Sequence, residues 1–173
     1  MRLITNPANA RWLWLSALVV VLDQGTKWLA EAMLSPYQAV EVLPMVNFTL
    51  MYNEGAAFSF LAGAGGWQRW LFVVIALVMT LVLSLWLLRL PLRERLTALA
   101  LALVVGGAVG NLIDRVLTGR VVDFIDVSLP FIPLRIFNPW PAFNIADSAI
   151  SIGVVLMLVL AFRKEPAPEA RAS

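Results

Sequence analysis

The sequence predicts an all-α membrane protein with a small β element, built on four transmembrane helices. Three observations predict this class. The 173 residues are 61% apolar and only 14% charged, with a mean hydropathy of +0.83, whereas soluble domains are more charged and less apolar. Four long apolar runs are separated by breaks rich in Pro, Gly or charge. Polar residues of three of those runs fall at one depth, although an ionisable group in lipid costs about several kcal/mol unless paired or wet.

The length suits one compact domain, 1–173. A net charge of +2 is too small to point to nucleic acid. There is no Cys and no His, which removes disulfides, thiol nucleophiles, Ser–His and Cys–His arrangements, and nitrogen or sulfur metal ligands. An enzyme of this composition works with carboxylates, amides, hydroxyls, Lys, Arg or an oxygen-bound metal such as Mg²⁺ or Ca²⁺.

The first span is expected over 12–33. It contains Asp23, Gln24, Thr26 and Lys27. Asp23 and Lys27, four apart, share a helical face and can pair. Arg2 and Arg11 followed by an apolar stretch and Ala30-Glu31-Ala32 also outline a signal peptide, but the polar cluster inside the run argues against it. The segment 36–66 is too polar and broken to span. Val46, Phe48, Leu50 and Tyr52 alternate as in a strand. Asn53-Glu54-Gly55 reads as a turn. Ala56 to Leu61, with Phe58 and Phe60, is long enough to lie on a membrane surface but not to cross it.

The second span, 67–90, holds no charge between Arg69 and Arg89, and Trp67, Trp70 and Trp86 sit near its ends as interfacial anchors do. The third, 96–117, carries Gly106 and Gly110, a small-xxx-small face for close packing. Asn111, Asp114 and Arg115 follow on one helical face, with a plain helix-end pair of Asp114 and Arg115 as the alternative to a role in a site. Gly119 ends the helix, and Arg120 to Val127 is β-branched enough to pair with the strand near Phe48. Pro130, Pro133, Pro139 and Pro141 keep the next segment irregular, with an extended piece at Leu134 to Phe137. The fourth span is expected over 144–162, with Asn144 as N-cap and Asp147 in the first turn, at the positive end of the helix dipole. Residues 163–173 read as a disordered tail.

Four spans put both termini on one side. Arg2, Arg11, Arg89, Arg93, Arg95, Arg163, Lys164 and Arg171 then share that side, eight of the thirteen basic residues, which makes it cytoplasmic. Helix rise gives depth. Asp23 lies roughly 18 Å and Asn111 roughly 22 Å from the cytoplasmic end of its span, in the outer half of a core about 30 Å thick. Asp114, Asp123, Asn144 and Asp147 follow at or near the outer boundary.

Carboxylates gathered at that level point to an acid–base pair, Asp123 with Asp147. Two close carboxylates share a proton. The ionised one takes a proton from water, and the protonated one polarises a carbonyl and later protonates the leaving amine. Lys27 with Ser16 or Ser148 stands as a Ser–Lys alternative. A small ion- or proton-coupled transporter and a Mg²⁺-dependent head-group transferase are the rival classes. The first predicts polar groups spread through the membrane depth, and the second more acids on the cytoplasmic side.

Four blocks resemble the lipoprotein signal peptidase (signal peptidase II) family. They are Asp23-x-x-Thr26-Lys27, Asn53-Glu54-Gly55-Ala56-Ala57-Phe58-Ser59, Gly110-Asn111-Leu112-Ile113-Asp114-Arg115 with Val121-Val122-Asp123-Phe124, and Phe143-Asn144-Ile145-Ala146-Asp147-Ser148. The resemblance implies an aspartic endopeptidase of the bacterial inner membrane with Asp123 and Asp147 as catalytic dyad. It implies a diacylglyceryl-modified prolipoprotein substrate cut before the lipid-modified Cys, and inhibition by globomycin. It implies an extracytoplasmic β-cradle and a short interfacial helix over the site. Asp23, Lys27, Asn53, Gly55, Asn111, Asp114, Arg115 and Asn144 would bind substrate or shape the site. No metal, cofactor or nucleic acid is expected; the partners are prolipoprotein and membrane lipid, and the protein is taken as a monomer. The Pro-rich stretch between Asp123 and Asp147 is longer than the family pattern.

Overall fold

A computed structural model describes residues 6–55, 65–128 and 140–162. The interfacial helix expected at Ala56 to Leu61, most of the Pro-rich stretch with its extended piece, and the tail at 163–173 lie outside them. Four helices form where the apolar runs predict them: α1 (Leu13–Met33), α2 (Trp67–Arg89), α3 (Arg95–Leu117) and α4 (Ile145–Ala161). Of these, α2 and α3 are long and apolar enough to cross a membrane. Charge inside α1 and the shortness of α4 set those two apart from a plain apolar span.

Helix α3 is central and packs against α1, α2 and α4. Glycines allow the close approach. A Cβ on Gly106 would lie 2.8 Å from the Ser16 carbonyl oxygen of α1, and one on Gly110 2.6 Å from Asp23 Oδ2. Gly107 has no room for a Cβ against the Ala146 carbonyl of α4. The small-residue face is therefore wider than Gly106 and Gly110, because α3 has a neighbour on each side.

At one end of the bundle the interior is largely aliphatic, with Leu83, Leu87 and Leu90 against Ala98, Leu101, Ala102 and Val105. A short 3₁₀ turn, Pro7–Trp12, closes this end. Its buried Asn9 donates from Nδ2 to the Leu90 carbonyl at 2.8 Å, satisfying an oxygen just past the end of α2. The sequence reading did not anticipate this turn.

The other end carries a three-stranded antiparallel sheet in the order β1 (Ala39–Leu43), β2 (Val46–Asn53), β3 (Val121–Val127). The pairing expected between the β-branched segment and the strand near Phe48 is present: Phe48 faces Ile125 and Asn53 faces Val121. Strand β1 was not anticipated, because all five of its residues are exposed and no buried face imposes a period-2 pattern. Leu50, Val122 and Phe124 pack beneath the sheet against Ala30 of α1, which fixes the sheet over the bundle.

Candidate active site

The end of α3 and the start of α4 meet under β3. Helix α3 stops at Thr118, and Gly119 adopts φ +82°, a left-handed conformation that suits glycine. The Gly119 N–H turns back to the Asp114 carbonyl at 3.2 Å, and β3 begins two residues later. Phe143 then pairs antiparallel with Ile125, its N–H donating to the Ile125 carbonyl at 3.0 Å and its carbonyl accepting from Ile125 at 2.8 Å. That register delivers Asn144 and the first turn of α4 beside Asp123.

Asn144 caps α4 as expected. Its Oδ1 accepts from the Asp147 N–H at 2.9 Å. The same side chain donates from Nδ2 to Asp123 Oδ1 at 2.7 Å, to the Val122 carbonyl at 3.1 Å and to Asn111 Oδ1 at 3.2 Å. Asn144 is fully buried. One residue thus ends a strand pairing, starts a helix and holds a carboxylate, which capping alone does not require.

Asn111, buried on α3, donates from Nδ2 to Asp147 Oδ1 at 2.7 Å. Asp123 and Asp147 are therefore joined through two amides, Asn144 and Asn111. Asn53, the last residue of β2, reaches Asp123 Oδ2 at 3.4 Å. Burial, followed by the neighbouring Asp147 carboxylate, pushes the Asp123 carboxyl up to about 7. A carboxyl poised near neutrality can both hold and release a proton at working pH.

Below the pair lies an ionic floor. Lys27 Nζ sits 2.8 Å from Asp23 Oδ2 and 2.8 Å from Asp114 Oδ2 and donates to Asn111 Oδ1 at 3.0 Å. The expected Asp23–Lys27 pair is present, and it extends to α3. Asp23 Oδ1 accepts from the Ala146 N–H at 2.9 Å, an otherwise orphan donor in the first turn of α4. Asp114 Oδ2 accepts from the Val122 N–H at 3.2 Å. The floor therefore pins α1, α3, α4 and β3 to one another. Gln24, part of the polar cluster in the first run but not among the expected site residues, bridges from Nε2 to Asp114 Oδ1 at 2.8 Å, to Asp23 Oδ2 at 3.2 Å and to the Gly110 carbonyl at 3.2 Å. Its place one residue from Asp23 was the signal available.

Two expectations are corrected. Asp114 and Arg115 do not form a helix-end pair. Consecutive helical residues point about 100° apart, so Asp114 turns inward to Lys27 while Arg115 turns toward α2 and the loop after β2. There it donates from Nη2 to the Gly55 carbonyl at 3.1 Å and lies 5.3 Å from the Phe72 ring. The Ser–Lys alternative also fails. Lys27 is held by two carboxylates and an amide, Ser16 donates to the Ala102 carbonyl at 2.8 Å, and Ser148 to the Asn144 carbonyl at 2.9 Å.

Gly55 is placed by its N–H on Asn53 Oδ1 at 2.9 Å, the turn expected at Asn53-Glu54-Gly55. All ten residues named from the sequence as site candidates thus gather at one end of the bundle. A cavity of about 710 Å³ opens over the pair, lined by Asp123, Asp147, Asn111, Asn53 and Arg115 on its polar side and by Met51, Val121, Phe143 and Ile150 on its apolar side. Among the described residues no group of three acidic side chains is arranged to hold a metal ion.

Known proteins match this sequence and fold over most of the chain. Residues 15–163 match the family model described as signal peptidase (SPase) II. The chain is 52% identical over 162 residues to a lipoprotein signal peptidase of Pseudomonas paraeruginosa, covering 92% of each. It is 49% identical over 156 residues to one of Acinetobacter baumannii, covering 90% of this chain and 85% of the relative. A solved bacterial membrane enzyme superposes with a TM-score of 0.76 at 31% identity, over 92% of this chain and 95% of the other. With its fold and nearly its whole length matched, the chain belongs to the signal peptidase II family.

Proposed function

We propose that this chain is a membrane aspartyl endopeptidase that removes the signal peptide from diacylglyceryl-modified prolipoproteins, cutting before the lipid-modified Cys. The observation that carries the reading is the pair of buried Asp123 and half-buried Asp147, each held by an amide and facing a cavity that is polar on one side and apolar on the other. One carboxylate takes a proton from water as the water oxygen bonds to the scissile carbonyl carbon. The other, protonated, gives its proton to the carbonyl oxygen. When the C–N bond breaks, the amine takes the first proton and the hydroxyl returns the second, so the pair ends as it began. Asn53, Gly55, Asn111, Arg115 and Asn144 shape the pocket, and Asp23, Lys27 and Asp114 form its floor.

In this reading the chain is one domain of 1–173 with four spans, about 12–33, 67–90, 96–117 and 144–162. Both termini are cytoplasmic, and the site faces the outer surface of the bacterial inner membrane. The distribution of Arg and Lys supports that orientation. The sheet serves as a cradle for the peptide while the diacylglyceryl chains stay in lipid. The protein acts as a monomer, and globomycin occupies the same cavity. A transporter finds no support: among the described residues the interior at one end of the bundle is largely aliphatic, and the family is a peptidase family.

The experiment uses purified protein in detergent with a prolipoprotein in diacylglyceryl-modified and unmodified forms, each with and without EDTA. Cleavage of the modified form alone, inhibited by globomycin and indifferent to EDTA, is expected. Equal cleavage of the unmodified form removes the lipid requirement, and loss of activity in EDTA removes the metal-free dyad.

A further inference from the structure

The two amides beside the dyad have forced orientations. Lys27 Nζ can only donate, and it lies 3.0 Å from Asn111, so that atom of Asn111 is the carbonyl oxygen. The Asn111 NH₂ group then faces Asp147 Oδ1. The Asp147 backbone N–H likewise can only donate, so Asn144 turns its oxygen to α4 and its NH₂ to Asp123 and the Val122 carbonyl. The two carboxyls are not equivalent. Asp147 stands in the first turn of α4, where the helix dipole favours negative charge, and is one amide away from the Lys27 ammonium. Asp123 stands on a strand, with no helix terminus of its own.

We infer that Lys27 is a positioning residue of the dyad: by fixing the Asn111 amide it holds Asp147 as the ionised partner, so that the resting proton stays on Asp123. The inference rests on the dyad reading and deepens it. Asp147 is then the base that takes the proton from water, and Asp123 the acid that protonates the carbonyl oxygen. The raised titration of Asp123 to about 7 agrees with it. The charged groups around Asp147 are Lys27 and Asp23 from α1, Arg115 from α3, and Asp123 from β3. Lys27 is the cation that also orients a direct partner of Asp147. Without it the Asn111 oxygen keeps only the longer contact from Asn144 Nδ2 at 3.2 Å, so the Asn111 NH₂ is held toward Asp147 less firmly and the carboxylate loses its nearest cation.

The test compares Lys27→Arg, Lys27→Met and the double variant Lys27→Met/Asp114→Asn, measuring kcat, KM and the pH profile with diacylglyceryl-modified prolipoprotein. The double variant removes a cation together with an anion, so the floor keeps its charge balance. Expected for Lys27→Met and the double variant is a kcat lowered about tenfold to a hundredfold with KM nearly unchanged. Their acidic limb moves toward higher pH by about half a unit to one unit, and Lys27→Arg restores the wild-type limb. A folded double variant with the wild-type profile overturns the inference. So does a double variant that does not fold, since Lys27 is then scaffold. Asp123→Asn and Asp147→Asn run alongside separate this from the dyad reading. Activity in either sinks the dyad, whereas inactivity in both with unmoved Lys27 profiles sinks only the role of Lys27.

Discussion

Helices α2 and α3 are both 23 residues long, and both are apolar enough to span a membrane. The more apolar of the two is the less buried: α2 reaches a mean hydropathy of 2.9 over a stretch that is 17% buried, against 2.1 and 56% for α3. A soluble protein reverses that relation, because water drives the most apolar surface inward. In lipid the outward face gains nothing by hiding. The interior is reserved for groups that need partners, and for small residues that let backbones approach. Helix α2 accordingly turns Val74, Leu77, Val78 and Leu81 outward. Helix α3 brings Gly106, Gly107, Gly110, Asn111 and Asp114 inward.

Substitutions on the two helices sharpen the contrast. Gly107→Val has the largest expected effect. Its side chain would enter the Ala146 carbonyl and Ile150 and part α3 from α4, costing about 1–3 kcal/mol or more from overpacking. The yield of folded protein in detergent reads it out, and a normal yield breaks the picture of α3 as the close-packed centre. Next is Arg115→Ala, which releases the Gly55 carbonyl from α3. An activity loss of about tenfold or more is expected, with the helical content intact. Wild-type turnover makes Arg115 a bystander.

Asp123→Asn is expected to raise stability while activity is lost. Because the folded-state value of about 7 lies above the ordinary 3.8, the folded form keeps a proton that the unfolded chain releases. Wild-type stability therefore falls as pH rises from about 4 to about 7. The variant escapes that loss, so its melting temperature exceeds the wild type's above pH 7, and the gap closes toward pH 4. A gap of opposite sign contradicts the burial of this carboxyl. The smallest effect belongs to Leu81→Ala on the exposed face of α2, within about 0.5 kcal/mol, read by the same melts.

Much of this was legible in the sequence because its signals are local. Apolar runs mark helices, Asn144 stands where a cap belongs, four-residue spacing pairs Asp23 with Lys27, and β-branching sends Val121–Val127 to the strand at Phe48. What was not legible depends on contacts distant in the chain. No spacing rule links Gln24 to Asp114, ninety residues on, or Asn9 to Leu90. The direction of Arg115 depends on Phe72 and Gly55, neither its neighbour in sequence. Strand β1 buries nothing and so leaves no periodicity. The sequence located the carboxylates, but not the two amides' orientations that make them unequal.

Turnover of diacylglyceryl-modified prolipoprotein by Asp123→Asn and by Asp147→Asn tests the dyad most directly, with the fold of each checked by thermal melting in detergent. Each variant should remain folded and lose at least about a thousandfold in rate. Full activity in either one would contradict the assignment of Asp123 and Asp147 as the catalytic pair.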